Sequence, residues 1–567
     1  MSADPVIRKG FVNVGDGQVH FRSAGSGPPV IFLHDSPRSS VLHVPQLKTF
    51  ADRFTCIAID TPGYGNSTPL APGRQLTIPD FGKALAETVL GFGVERCPVY
   101  GFHTSSKITL AFAAAHPERV AVAILDGLSL PPGPPNLPFI DAYMKPFVIE
   151  ATGGYLGAEW TRVLDFQRWF PWFSKTRDAR QATPAKPIAG LHEYAMDLFM
   201  AGPHFSDAYG AAMRFQALPM IGSLRARTVF MCRQDDVLHA YLAALPSPLP
   251  EGSTMESLAP GRDVWRDRLR ALFMEHADWK GAAQFTAPNP FDAPGRTDQV
   301  LCSYVDLPNG QLLVRRAGIA NTGRPIVFLH DLPGSARADH DLLLALAQSS
   351  GRPVYAIDLP GCNESSPPPE PTAQAVMAMI AAAMAALSLR AADVIAEGLS
   401  TSFAALLAKH HPNLVNRLIL DAVFVADSAL RTEMRVNYTP DLRPQRDGTH
   451  LHRGFHMLRD QEVSWPWYDG SSAAIRRITP RLDAERLHTR LVDTLKQHDH
   501  YSDSILAACD VDVAAVLADI SQETLLATAP GDVRYTAATA VRPQRGRTFE
   551  RPQEVTARAA AFVAALG

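Results

Sequence analysis

The chain is poor in cysteine, and its few cysteines are not placed for a structural role. Six cysteines are scattered through 567 residues, without the paired Cys-x-x-Cys spacing of zinc sites. Thiols this sparse fit a reducing compartment and indicate neither a disulfide framework nor a metal centre. We therefore predict a cytoplasmic protein that holds no metal.

Long apolar runs and a strong net charge are also missing. The longest apolar run, which starts at Ala375, is about 15 residues and too short to span a bilayer. The N-terminal residues have no apolar stretch of the kind that a secretory signal carries. A net charge of −3 offers no basic surface for nucleic acid or anionic lipid. We expect a small-molecule substrate, with neither nucleic acid nor a membrane as a partner.

What the chain does have is an internal duplication. Its landmarks recur in the same order, 296 to 298 residues apart, as a His-Asp-x-Pro loop at His34 and His330, an Asp-x-Pro-Gly turn at Asp60 and Asp358, a Gly-x-x-Thr-Ser segment at Gly101 and Gly398, and a late aspartate at Asp236 and Asp532. So many correspondences at nearly one offset indicate two copies of one fold.

Each copy reads as an α/β lobe. Short β-branched runs alternate with helical patterns, which predicts a mostly parallel sheet flanked by helices on both faces. The first lobe is expected over 1–284, a Pro- and Gly-rich linker over 285–299, and the second lobe over 300–567. Aromatic-rich insertions at about 128–224 and 423–520 are expected to form mainly helical caps.

The order of these motifs resembles the α/β-hydrolase superfamily. The segments HDSPRSS and DTPGYGNS are most similar to its capped members, the esterases, C–C bond hydrolases, epoxide hydrolases and dehalogenases. The resemblance implies a sharp strand–turn–helix elbow that presents a nucleophile, an oxyanion hole of backbone amides and a late acid. It also implies chemistry without a cofactor.

In the second lobe the resemblance places Ser400 at the nucleophile position. It implies that the amides of Thr401 and Leu332 form the oxyanion hole beside Asp331, and that Asp532 is the acid. The alternative is that Ser400 is only a small residue in a tight turn. The family's base histidine is missing, because Arg547 stands where it is expected.

In the first lobe the nucleophile position holds His103, and Arg262 stands at the base position. Asp236 remains as the acid, and Ser36 and Thr104 are expected to line the pocket. Arginine stays protonated and cannot serve as a base. The lobe is a degenerate scaffold, or His103 works in it as an acid–base residue. Two further alternatives are His103 as the nucleophile and Thr104 or Ser105 in its place.

We therefore expect a hydrolase of a small carboxylic ester or related carbonyl substrate, acting through the second lobe with a degenerate triad. Two alternatives stay open. One is a pseudoenzyme that binds or scaffolds. The other is a non-hydrolytic, lyase-type enzyme that uses His103 or a cap histidine. An intrachain pseudo-dimer of the two lobes is also left open.

Overall fold

The computed structural model describes residues 4–70, 73–181, 184, 186–279 and 285–567. The chain divides into two compact units. One comprises Met1–Val148 with Thr161–Pro290, and the other comprises Ile149–Trp160 with Phe291–Gly567. The division after Pro290 falls within the predicted linker, whereas the predicted end of the first lobe, residue 284, lies outside the described residues. Nothing in the sequence indicated that part of the first cap belongs to the second unit.

The sheet of the first lobe has eight strands in the order β1-β2-β4-β3-β5-β6-β7-β8. They are β1 (Arg8–Val14), β2 (Gly17–Ala24), β3 (Pro29–Leu33), β4 (Thr55–Ile59), β5 (Cys97–Phe102), β6 (Val120–Asp126), β7 (Thr228–Arg233) and β8 (Ser253–Leu258). Strand β2 runs antiparallel to β1 and β4, and all other neighbours are parallel.

The second sheet repeats that order, as β9-β10-β12-β11-β13-β14-β15-β16. Its strands are β9 (Val300–Leu307), β10 (Gly310–Ala317), β11 (Ile326–Leu329), β12 (Val354–Ile357), β13 (Ala392–Glu397), β14 (Val415–Asp421), β15 (Glu523–Thr528) and β16 (Gly546–Glu550). Again only the pairs that include the second strand are antiparallel.

In the first lobe, helices connect the strands and also form the cap. They are α1 (Val44–Phe50), α2 (Ile78–Gly91), α3 (Thr104–Ala115), α4 (Leu137–Tyr143), α5 (Tyr155–Phe166), α6 (Ile188–Ala201), α7 (Ser206–Arg214), α8 (Leu218–Ile221) and α9 (Arg262–His276). Short 3₁₀ helices lie at Ser40–His43, Pro117–Arg119, Gly202–Phe205 and His239–Ala244. Helices α4 to α8 fall in the segment predicted as a helical cap.

The second lobe has the corresponding set. Its helices are α10 (His340–Ser350), α11 (Ala373–Ala386), α12 (Thr401–His410), α13 (Ser428–Asn437), α14 (Thr449–Asp460), α15 (Ala484–Leu495), α16 (Tyr501–Cys509), α17 (Val513–Asp519) and α18 (Val555–Leu566). Short 3₁₀ helices lie at Pro290–Asp292, Ala336–Asp339, Gly398–Ser400 and Val533–Thr539. Helices α13 to α17 fall in the second predicted cap.

Central strands carry the cores. Every residue of β3, β4 and β6 is buried, as are all residues of β11 and β13, because helices cover both faces of each sheet. The predicted fold class, two lobes each with a mostly parallel sheet flanked by helices, is confirmed. No helix in the described part of the chain is long and apolar enough to cross a membrane.

Candidate active sites at the two elbows

The elbow of the first lobe presents a histidine at its tip. Strand β5 ends at Phe102, His103 follows with φ +48° and ψ −109°, and α3 begins at Thr104. A side chain in this left-handed region costs roughly 1–2 kcal/mol, so the surroundings must hold it there. Ser105 supplies one such tie, because its Oγ accepts from the Phe102 amide and donates to the Leu33 carbonyl.

The imidazole of His103 is paired with the late acid. Its Nε2 lies 3.1 and 3.0 Å from the two carboxylate oxygens of Asp236, which the Leu238 amide also holds. Burial lowers the pKa of His103, but Asp236 outweighs burial and the pKa is raised above its ordinary value. Within the described residues Nδ1 has no hydrogen-bond partner, and the side chain is 24% exposed. The structure thus brings two predicted site residues together.

Two backbone amides flank this tip without partners. Thr104 follows His103 directly, and Ser36 follows β3, the strand that pairs with β5. Neither amide donates a hydrogen bond to any acceptor in the described ranges. Asp35, which the sequence did not single out, has a buried Oδ1 that is likewise unpartnered there. The pair of amides is therefore available to a carbonyl or carboxylate oxygen.

The second elbow shows that the predicted nucleophile position was two residues off. Ser400 Oγ accepts from the Glu397 amide and donates to the Leu329 carbonyl, the same ties that Ser105 makes in the first lobe. Ser400 is fully buried. The tip is Gly398, with φ +60°. The residue at the second tip therefore has no side chain, and Ser400 lies below it with its hydroxyl bound to backbone.

A carboxylate of the chain itself fills the amide pair at the second tip. Asp331 Oδ1 accepts from the Leu332 amide at 2.8 Å and from the Leu399 amide at 3.0 Å, while Arg534 Nη2 donates to Oδ2 at 2.6 Å. The second amide is that of Leu399, not that of Thr401 as predicted. A Cβ on Gly398 would lie 2.0 Å from Asp331 Oδ1. This arrangement therefore requires glycine at the tip.

The remaining predicted residues of the second lobe lie elsewhere. Asp532 accepts from Arg476 at 3.0 and 2.7 Å instead of orienting a histidine. Thr401 is buried, and its Oγ1 donates to the Gly398 carbonyl. Arg547, which was predicted at the base position, is half exposed on β16, 3.2 Å from Glu523. The residue that follows the last strand is Arg551.

Arg551 belongs to a buried ion cluster below the second tip. Asp421 accepts from Arg551 at 2.9 Å and from Arg558 at 2.6 Å, and Glu397 lies 2.8 Å from Arg558. Burial raises the pKa of Asp421, but the two arginines outweigh it and lower that pKa. The corresponding aspartate of the first lobe, Asp126, accepts hydrogen bonds from the uncharged side chains of Tyr100 and Trp265. Arg262 of that lobe is exposed at the start of α9.

Three histidines outside the tips hold backbone amides of their own lobes. His34 Nε2 accepts from the Thr61 amide at 2.9 Å, and His330 Nε2 accepts from the Leu359 amide at 3.0 Å, so each braces its loop. In the second cap, His450 Nδ1 accepts from the Gln445 amide. Across the described ranges no imidazole hydrogen-bonds to Ser400, and no group of three ligating side chains is placed to hold a metal.

Sequence reasoning missed Asp35, Asp331 as an internal ligand, Gly398 and Arg534. One signal was present. Both lobes carry His-Asp-x-Pro where the loop of the family reads His-Gly-x-Pro. Each lobe therefore places a carboxylate next to the amide expected in the oxyanion hole. No local pattern marks Arg534 as the partner of Asp331, which is 203 residues away.

A family model of the alpha/beta hydrolase fold matches residues 28–146 and 324–474. Proline iminopeptidase of Neisseria meningitidis serogroup A is 32% identical over 129 residues, which are 22% of this chain and 41% of that protein. Haloalkane dehalogenase 2 of Mycobacterium tuberculosis is 31% identical over 110 residues, 19% of this chain and 38% of that protein. The chain spans about two fifths of the length of these curated relatives.

Solved structures are similar at lower identity. Epoxide hydrolase A from Mycobacterium thermoresistibile is 18% identical with a TM-score of 0.37, over 49% of this chain and 100% of that chain. The enol-lactonase from Burkholderia xenovorans LB400 is 16% identical with a TM-score of 0.35, over 47% of this chain and 97% of that chain. Each match covers about the length of one lobe.

Proposed function

The chain is a tandem protein of the α/β-hydrolase fold, and on that premise we propose that its first lobe hydrolyses a small carboxylic ester or a related carbonyl compound. The observation that carries the proposal is His103 at the elbow tip, paired with Asp236 and open at Nδ1. No serine or cysteine occupies the tip, so water is the nucleophile and no acyl-enzyme forms.

Each residue has a stated task in this reaction. The Nε2–H group of neutral His103 donates a hydrogen bond to Asp236, which leaves Nδ1 unprotonated and free to act as a base. Nδ1 takes a proton from water, and the hydroxide adds to the carbonyl carbon. The negative oxygen of the tetrahedral intermediate faces the amides of Ser36 and Thr104. The imidazolium then returns the proton to the leaving alkoxide, so one water and one ester yield an acid and an alcohol.

The second lobe is proposed to be non-catalytic. Its tip is Gly398, and the amide pair that would bind an oxyanion already binds Asp331. Its late acid is neutralised by Arg476, which cannot accept a proton. We assign this lobe a structural or binding role. That reverses the expectation that Ser400 carries the reaction.

A pair of variants tests where the reaction takes place. We expect His103→Gln to lower kcat/KM for short-chain p-nitrophenyl esters by about 10²–10⁴-fold, the usual contribution of a general base. Ser400→Ala, which removes a hydroxyl of the second elbow, is expected to leave kcat/KM within about threefold, as for a site remote from the chemistry. Circular dichroism would check that both variants remain folded.

The opposite pattern would overturn the proposal. Loss of activity in Ser400→Ala with full activity in His103→Gln would return the reaction to the second lobe. A folded wild-type protein that turns over no ester in the panel would also reject hydrolysis. That outcome would favour the binding or lyase-type alternatives.

A further inference from the structure

A small, partly open cavity in the second lobe is lined by four arginines and four carboxylates. The arginines are Arg481, Arg486, Arg490 and Arg534. The cavity measures about 20 Å³, and a single water-sized guest needs roughly 10–15 Å³. There is room for one small ion or one water, and not for an organic substrate.

The charges that line this cavity balance, but those of the wider ion network do not. The ion network contains seven arginines and six carboxylates, namely Arg476, Arg481, Arg486, Arg490, Arg534, Arg551 and Arg558 against Asp331, Asp339, Asp421, Glu397, Glu462 and Asp532. One positive charge is therefore left over in a cluster whose side chains are mostly buried, although the Arg481 side chain is 34% exposed. Excess positive charge among mostly buried groups is costly, so an additional negative charge would be stabilising.

Arg481 is the cation that lacks a close partner. Its nearest carboxylate oxygens, one on Glu397 and one on Glu462, are both 3.9 Å away. Arg558 lies closer to Glu397, at 2.8 Å, and Arg490 lies closer to Glu462, at 3.4 Å. The Arg481 guanidinium makes no hydrogen bond to any residue that the structure describes. Its five N–H donors have no acceptor among the described residues, and a third of the side chain is exposed.

Two further observations agree with a missing anion. Burial, and next the neighbouring Arg486, lower the pKa of Arg481 to about 10. The Nε atom of Arg486 is buried and has no acceptor in the described part of the chain. Arg481 and Arg486, which both line the cavity, therefore have N–H donors without acceptors, in an ion network that carries excess positive charge.

We propose that this cavity binds a small inorganic anion of about the size of chloride, held by Arg481 and Arg486. The volume excludes larger anions, and the excess positive charge excludes cations. The described part of the first cap has no such cluster, because Gly190 and Tyr194 stand where the repeat places Arg486 and Arg490. The site is independent of the hydrolysis proposed for the first lobe.

The test is thermal unfolding of the full chain at constant ionic strength, with sodium gluconate replaced stepwise by sodium chloride. We expect Tm to rise with the logarithm of the chloride concentration above Kd, by about 2–4 °C for each tenfold excess. Gluconate is too large for the cavity.

Two variants locate the effect. Arg481→Gln is expected to lose the chloride dependence of Tm. Arg443→Gln, which removes an exposed arginine of the same cap, is expected to keep it. Equal wild-type Tm values in chloride and gluconate would overturn the proposal without recourse to any variant. A chloride response in Arg481→Gln equal to that of the wild type would overturn it as well, by placing the anion elsewhere.

Discussion

The two lobes follow the same backbone path through the elbow but place different residues at its tip. His103 holds φ +48° in one, and Gly398 holds φ +60° in the other. Below each tip a buried serine, Ser105 or Ser400, ties the turn to the neighbouring strand. The fold therefore maintains this turn whether or not a reactive side chain is present.

The residues around the two tips differ as a set. Beside His103 the chain has Gly127, where a Cβ would lie 2.5 Å from the imidazole. In the second lobe the corresponding residue is Ala422, which fits because the tip has no ring. There Asp331 and its partner Arg534 take the space instead. A side chain at the tip and a filled amide pair are therefore mutually exclusive solutions.

The aspartates below the tips differ in the same sense. Asp126 accepts from Tyr100 at 2.7 Å and from Trp265 at 2.8 Å, and burial raises its pKa to about 6. Asp421 is held instead by Arg551 and Arg558, which lower its pKa. The first lobe keeps groups that titrate near neutrality around its tip. The second lobe replaces them with fixed ion pairs, which cannot shuttle protons at neutral pH.

Placing the first lobe's tip residue in the second lobe is expected to have the largest effect. Gly398→His would drive a Cβ against Asp331 Oδ1, at 2.0 Å, and against Arg534. We expect the second lobe to lose about 3–5 kcal/mol of unfolding free energy, the usual cost of breaking a buried ion pair. Urea denaturation followed by fluorescence would measure it.

A matched control is Gly351→His in the same lobe. Gly351 has φ +65°, and a Cβ added there would meet no atom within 4 Å, so only the left-handed backbone penalty of roughly 1–2 kcal/mol applies. Equal losses in the two variants would show that Asp331 does not occupy the amide pair.

A smaller effect is expected on the pH dependence of the first lobe, which follows the ionisation of His103. Because Asp236 raises the pKa of His103, the wild-type rate should rise with pH through a value above the ordinary 6.5. Asp236→Asn should move the rising limb of the pH profile to lower pH, because the pKa of His103 falls when the carboxylate is removed. It should also lower the plateau by roughly 10²-fold or more through loss of the correct tautomer. Profiles of kcat/KM against pH would measure both. A rising limb at the same pH in the wild type and in Asp236→Asn would show that Asp236 does not set the pKa of the catalytic base.

Much of the fold was predictable because repeated landmarks mark the strand ends of both lobes. His103 and Asp236 were predictable for the same reason, as residues that follow β5 and β7. The second tip was not. Matching GLSTS to GFHTS sets Gly398 against Gly101, whereas strand pairing sets Glu397 beside Asp421 as it sets Phe102 beside Asp126. Sequence identity therefore pointed two residues away from the turn.

The ion network was beyond sequence reasoning for a different reason. Arg547 follows a glycine, as the family's base does, but β16 begins at that glycine and carries Arg547 to a half-exposed position. Strand ends decide which arginine enters the site, and they depend on pairing with β15. Contacts such as Arg476 with Asp532 join a cap to a strand end. No local period encodes such a pairing.

The proposed function requires that the first lobe works with water and that Ser400 is not a nucleophile. Intact mass after incubation with a fluorophosphonate, on a sample that turns over ester, tests both requirements at once. We expect an unlabelled protein that retains its activity. A single adduct mapped to Ser400, with matching loss of activity, would show instead that the second lobe carries the reaction through a serine.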